Sequence, residues 1–270
     1  MANVGVNTND SVSRGLRSPV FPDGTFEFVP IKERADLADS EAIPTYAELR
    51  SWTGRAPSLA AFVPQGLGQY RAHADPEFET HTYGDVVTPR AANLARTRPG
   101  DEIWFLARLW NHDGTTFAKG SGFFLVGLLR VEKNVLIPGG VGPEELPSEL
   151  RERIAGNAHY GRLLAGEREP CRVLIGDPGC SRRFARALAV SPEIAGHLYG
   201  GTWDPVGRVY VRDGEALRNR NGRLRSFETF GSVTRSIQSF LDSDRLADSE
   251  HLRILRELAA RHGASSPNGW

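Results

Sequence analysis

The chain is poor in sulfur, with two cysteines and one methionine among 270 residues. Two thiols cannot build a disulfide framework, so Cys171 and Cys180 are expected to be free, although a loop between them could close. Lysine is nearly absent as well: arginine supplies 30 of the 33 basic residues. Equal numbers of acidic residues bring the formal charge to zero, so global electrostatics point neither toward nor away from a polyanion. No apolar run approaches the roughly 20 residues of a membrane span, and the N-terminus lacks the pattern of a signal peptide. A cytoplasmic location is the expectation. No phosphate loop is present: Val63-Pro-Gln-Gly-Leu-Gly-Gln-Tyr70 has neither the third glycine of a dinucleotide fingerprint nor a Gly-Lys-Ser/Thr. No cofactor is expected.

What the chain does contain is a globular composition, 40% hydrophobic and 24% charged, long enough for one large domain or two small ones. Charge is unevenly spread. Residues 151–225 carry fourteen arginines against eight acidic residues, whereas residues 1–50 are acidic. A basic segment in a neutral protein is the footprint of a nucleic-acid face, and equally of an arginine-rich genome.

Residues 3–31 hold the first concentration of chemistry. Phe21-Pro-Asp-Gly24 reads as a turn, because Pro22 presets φ, Asp23 bonds amides beyond it and Gly24 tolerates positive φ. Thr25 to Ile31 then alternate as a half-buried strand does, with Phe26 and Phe28 on one face. Asp23 would stand at the strand mouth beside Asn7, Asn9, Arg14 and Arg17, either as a ligand-facing carboxylate or as an ordinary turn residue.

The second concentration is residues 73–85. His73, Asp75, Glu77, Glu79 and His81 occupy alternate positions, so in an extended chain they would share one face. Such a set could bind a divalent metal, but Pro76 interrupts it, its spacing matches no metal motif, and a solvated edge is the plainer reading, so no metal ligand is assigned. Tyr83-Gly-Asp85 follows, a phenol and a carboxylate at a flexible hinge before a helix over 89–97.

Residues 102–110 and 121–131 are nearly continuous apolar strands joined by an Asn111-His-Asp-Gly114 hairpin signal. Strands this apolar are buried on both faces or close a barrel. The expected fold is α+β: a mixed, partly closed β-barrel-like sheet with flanking helices. Arg108, on one face with Trp104 and Trp110, needs a carboxylate there, and Asp23 and Asp85 are the candidates.

A Gly/Pro connector at 138–147 separates an N-terminal part (1–137) from a C-terminal α/β part (148–262) that packs on the same core, as a second part or as one single domain with it, and 263–270 is a frayed tail. After a helix over 148–155, Gly156-Asn-Ala-His-Tyr-Gly161 presents His159 and Tyr160 in a loop. Residues 170–190 read as strand, turn and helix, with Ser181 as N-cap and Arg182 and Arg183 at a helix N-terminus suited to phosphate. A strand over 206–211, an arginine-rich loop over 212–225 with Arg218 and Arg220, and helices over 229–241 and 245–261 complete the chain. Short helical pieces, among them Tyr46–Trp52, are expected between residues 32 and 62.

The run Gly5-Val-Asn7, then Ser18-Pro-Val-Phe-Pro-Asp-Gly-Thr-Phe-Glu-Phe-Val-Pro-Ile31, resembles the opening of the nucleotide-modification-associated domain proteins of the third type. The order continues through Asp75-Pro-Glu-Phe78, Tyr83-Gly-Asp85, Gly100-Asp-Glu-Ile-Trp-Phe105 and Phe124-Leu-Val-Gly-Leu-Leu-Arg-Val131, over about residues 3–160. The Gly-Asp before one apolar strand and the Val-Gly in the next also resemble barrels of the PUA/ASCH class. The resemblance implies association with modified bases in DNA, in systems where phages and hosts contest those modifications. Two classes of function fit: a glycosylase that flips out and excises a modified base, for example hydroxymethylated or glucosylated cytosine, or a non-enzymatic reader of it. A base-modifying transferase ranks last, for want of a cofactor loop.

For a glycosylase, oxocarbenium character on the sugar calls for a carboxylate, and the leaving base for donors. Asp23 and Asp85 are the candidate carboxylates. Tyr83, His159 and Asn7 are the donors, and Asn9, Arg108 and Tyr160 further contacts to the base. Arg14, Arg17, Arg182, Arg183, Arg218 and Arg220 would hold phosphates. This chemistry needs no metal.

Overall fold

The computed structural model describes residues 1–5, 15–219, 222–230 and 250–262. Its centre is a pair of long strands, β6 (Glu102–His112) and β7 (Phe117–Ile137), joined at the expected hairpin. Ile103 to Ala107 are all buried, because both faces of β6 are covered. On the free edge of β6 lie two short parallel strands, β1 (Ala2–Val4) and β2 (Ser18–Val20). The ends of the segment between them therefore return to the same strand.

β7 is too long to remain in one flat sheet. Its first half pairs with β6 and with β9 (Arg182–Ala189), and its second half with β8 (Cys171–Gly176). Register shifts occur between Leu125 and Gly127 on the β9 side and between Val131 and Lys133 on the β8 side. Such bulges increase local twist and bend the strand. The result is a strongly curled half-barrel sheet in a mixed α+β fold. Beyond β8 the sheet ends in β5 (Thr82–Val86), antiparallel to it, with Tyr83 opposite Leu174 and Asp85 opposite Arg172.

A two-stranded pair, β3 (Ile31–Lys32) with β4 (Ala72–His73), lies apart from this sheet, as does the meander β10 (Thr202–Asp204), β11 (Val209–Arg212) and β12 (Glu215–Ala216). Four helices are described: α1 (Ser148–Arg153), α2 (Ala158–Leu164), α3 (Pro192–Tyr199) and α4 (Glu250–His262). α2 starts where Asn157 Oδ1 accepts from the His159 amide, and packs its Tyr160 and Leu163 with Ile137, Cys171, Val173 and Ile175. That contact sets α2 against the β8–β5 edge.

Several local expectations differ. Residues 182–189, rich in the good helix formers arginine, alanine and leucine, form strand β9, because the open edge of β7 supplies backbone partners that outweigh propensity. Ser181 is no N-cap: its Oγ accepts from the Arg130 amide at 3.0 Å. Arg182 and Arg183 therefore sit in a strand, and no helix N-terminus is there to bind phosphate. The helix expected over 89–97 is two 3-10 turns, Pro89–Ala91 and Leu94–Arg96, and Tyr46–Trp52 is a series of turns. The turn at Phe21–Gly24 closes with Gly24 N donating to Phe21 O at 2.9 Å and Gly24 at φ +82°. The run after it is buried on both sides, Glu27 included, rather than half-buried. Glu27 accepts from Ser51, the Trp52 and Thr53 amides and the Thr53 hydroxyl. Most of the helix expected over 229–241, and the tail at 263–270, lie outside the described residues.

Candidate functional site

A gathering of buried ionisable groups lies where β5, the β3–β4 pair and α2 meet. Glu33, just after β3, is fully buried, and its carboxylate receives three side-chain hydrogen bonds: His73 Nδ1 lies 2.9 Å from Oε2, Arg162 Nε 3.0 Å from Oε2, and Arg162 Nη2 2.6 Å from Oε1. The Arg34 amide adds a fourth at 2.8 Å. Asp75, in the loop after β4, accepts from the Gly84 amide at 3.0 Å and from Asn157 Nδ2 at 3.4 Å. His159 Nε2 is 4.0 Å from Asp75 Oδ2, and the His73 and His159 rings meet edge to face with centroids 5.0 Å apart.

Burial alone would raise the Glu33 carboxyl, but the hydrogen bonds from His73 and Arg162 outweigh it and hold the group well below the usual carboxylate range. Asp75 goes the other way. Burial pushes it well above its usual range, only partly offset by the Gly84 amide. Burial, with the neighbouring His73 and Arg162, pushes His159 well below its ordinary value. Tyr83 is raised by burial and by the charges of Asp75 and Asp85. One small volume thus holds carboxylates displaced in opposite directions, two imidazoles, a phenol and a guanidinium.

Two small recesses open on this region. One is lined by His159, Arg162, Glu167 and Cys171, the other by Asp85, Thr88, Leu94 and Arg172, and Val86 borders both. Gly84 is required at its position: an added Cβ would stand 2.9 Å from Arg172 O and 2.9 Å from His159 Cδ2.

Of the residues singled out in the sequence, Tyr83, Asp85 and His159 all adjoin β5, but Tyr83 and Asp85 lie on one face of the strand and His159 packs against the other, at Gly84. Asp23 is engaged elsewhere, its oxygens taken by Thr25 and by Arg55 Nη2 at 2.6 Å. Arg108 takes neither expected carboxylate. It donates to Ser121 Oγ at 3.0 and 2.9 Å and lies over the Trp110 and Phe123 rings. Tyr160 is a core residue of α2. Arg17 is exposed and lies over Phe117, and Arg218 closes its own hairpin on Gly222 O. Arg183 is enclosed by the Phe26 and Trp52 rings, with its Cζ 4.2 and 4.7 Å from their centroids. Asn7, Asn9, Arg14 and Arg220 lie outside the described residues. The polar alternation of residues 73–81 does not form one face: beyond Pro76, Glu77 turns back to accept from Thr80.

A family model described as nucleotide modification associated domain 3 matches residues 1–196, nearly three quarters of the chain. The chain belongs to that family. No curated protein and no solved structure matches it, so the likeness to the PUA/ASCH class has no structural neighbour behind it. Membership in the nucleotide modification associated domain 3 family ties the chain to nucleotide modification, and the match spans every residue of the buried cluster from Glu33 to Arg162.

Glu33, His73, Asp75 and Arg162 were not among the residues assigned roles from sequence. His73 and Asp75 carried a signal, two ligand-type side chains ahead of Tyr83-Gly-Asp85. Glu33 and Arg162 carried none, since a lone glutamate after a strand and an arginine in a helix are ordinary surface residues.

Proposed function

We propose that the protein acts on a modified base in DNA as an N-glycosylase, drawing the base out of the duplex and cleaving its bond to deoxyribose. The observation that supports this reading is that Asp85 lines one recess and His159 the other, with Val86 bordering both. Excision needs a carboxylate facing the sugar, where positive charge develops, and donors facing the base. Asp85, half-buried on an edge strand beside Arg172, is placed to supply the first. Tyr83, one step along the same face of β5, is the phenol beside it. The buried cluster behind them holds β5 and α2 in register. A role in phage defence or in hosts' own DNA modification follows from the same reading, as does a cytoplasmic site of action.

The test is incubation of the purified protein with plain, methylated, hydroxymethylated and glucosylated DNA, each assayed for alkali-labile sites and released base. Cleavage confined to one modified DNA and lost in Asp85→Asn supports the glycosylase. Selective binding without release, unchanged in Asp85→Asn, replaces it with a reader of the modified base. Absence of both base release and selective binding on every one of these DNAs overturns the proposal.

A further inference from the structure

We propose that His73, Asp75 and His159 form a binding site for one divalent transition-metal ion. One ligand atom from each of the three side chains lies within 4.8 Å of the others. Around an ion held at about 2.0–2.2 Å, ligand atoms stand roughly 3.5 Å apart. Small rotations of side chains already in contact close the set.

The donor chemistry selects the class of ion. Two imidazoles and one carboxylate suit zinc, iron, cobalt or manganese, whereas magnesium and calcium prefer oxygen ligands throughout. The three residues come from the end of β4, the loop after it and the first turn of α2, so the set exists only once the β8–β5 edge and α2 have docked.

The surroundings are those of a ligand site rather than of a chance cluster. Glu33 Oε2 accepts from His73 Nδ1 at 2.9 Å, which fixes the tautomer and leaves Nε2 with a free lone pair. Arg162 anchors Glu33 in turn with two hydrogen bonds, so the carboxylate that orients the imidazole is itself immobile. Asp75 is held by the Gly84 amide and by Asn157, whose Oδ1 also receives the His159 amide. A second, independent sign is the state of the ring itself. The His159 side chain is 3% exposed, and its Nδ1 is buried with no hydrogen-bond partner. Among the described residues, the only ion-pair partner of the Asp75 carboxylate within 4.0 Å is that same imidazole. A buried carboxylate faced by a single imidazole is costly to ionise, and a divalent cation between Asp75 and His159 Nε2 relieves that cost.

With three protein ligands the ion would retain an open position, available to water or to an oxygen of a bound nucleotide. The inference stands on these side chains alone and does not depend on which bond, if any, the protein cleaves.

The experiment uses the untagged full-length chain, stripped with a chelator and dialysed, then titrated with Co²⁺ followed by visible absorption and with Zn²⁺ followed by calorimetry and thermal unfolding. One ion per chain is expected, with a rise in Tm and a cobalt spectrum free of thiolate charge-transfer bands. Asp75→Asn and His159→Gln should each weaken binding at least 100-fold, and Glu33→Gln by about 10- to 100-fold. His251→Gln, which alters the separate His197–His251 pair, should leave binding unchanged. Absence of saturable binding, thiolate bands that implicate Cys171 or Cys180, or loss of binding in His251→Gln would each overturn the proposal. Where a ligand variant fails to fold, the stoichiometry and spectrum of the wild-type protein decide.

Discussion

Glu33 and His73, forty positions apart in the chain, are joined by a 2.9 Å contact between Oε2 and Nδ1, with Arg162 closing the same carboxylate from the other side. This contact ties the first strand pair to α2 and so to the edge of the main sheet. Breaking it removes the counter-charge of a buried guanidinium. Glu33→Ala is expected to lower stability by about 3–5 kcal/mol in urea unfolding, because Arg162, largely out of water, is left with only the more distant Glu167 carboxylate at 4.0 Å. Glu33→Gln should cost less, since it keeps the shape and part of the hydrogen bonding.

Arg183 gives a second test. Its guanidinium lies between the Phe26 and Trp52 rings, donates to the Phe26 carbonyl, and is lowered by burial to about 10, with Glu27 opposing. Arg183→Lys should not restore what Arg183→Ala loses, because a compact ammonium cannot stack between two rings. Both should destabilise by about 2 kcal/mol or more and shift the Trp52 fluorescence.

Acid sensitivity is expected where α3 meets α4. His197 and His251 stand with Nδ1 atoms 2.9 Å apart, and burial lowers both below the ordinary imidazole value, helped by His251 acting on His197 and by Arg212 acting on His251. Glu250 opposes both shifts without cancelling them. A base depressed in the folded state binds its proton more readily when unfolded. The stability this pair contributes is therefore complete above about pH 6.5 and is lost as pH falls below it. Tm measured from pH 7.5 to 5 should fall, and His251→Gln should flatten part of that fall.

The two thiols should differ in reactivity. Cys171 is buried and burial raises it to about 11, whereas Cys180 is partly exposed. At pH 8 a maleimide should label Cys180 first, with Cys171 following only on unfolding, as intact mass would show. The linkage runs opposite to that of the histidines: stability from the buried neutral thiol is present below pH 9 and is lost as pH rises toward 11.

Gly84→Ala is expected to destabilise by about 1–3 kcal/mol, since its methyl group would collide with the Arg172 carbonyl and the His159 ring, and backbone on β8 cannot yield cheaply. Loss of metal binding in a variant that remains folded would connect the β5 register to the site.

The two apolar strands, their hairpin and the Pro-Asp-Gly turn were legible because each depends on residues close in sequence: alternation, turn chemistry and uninterrupted apolar runs. Tyr83, Asp85 and His159 were legible as chemistry in glycine-flanked segments. The strand at 182–189 was not. Its arginines, alanines and leucine favour a helix locally, and only the open edge of β7 makes it a strand. Asp23 shows the converse limit: its turn is as expected, yet the carboxylate is taken by Thr25 and Arg55, a pairing across 32 residues that local pattern does not contain.

By itself the sequence determined an α+β protein built on two buried strands, with no helix among its described residues long and apolar enough to cross a membrane, and its motifs carried the family. Only the tertiary structure decided which ionisable groups share one volume. Glu33, His73, Asp75, His159 and Arg162 are brought together by β3–β4 pairing, by β5 at the sheet edge and by α2 packed on β8. These are long-range contacts whose partners are chosen by packing and by backbone hydrogen bonding, so no local spacing announces them.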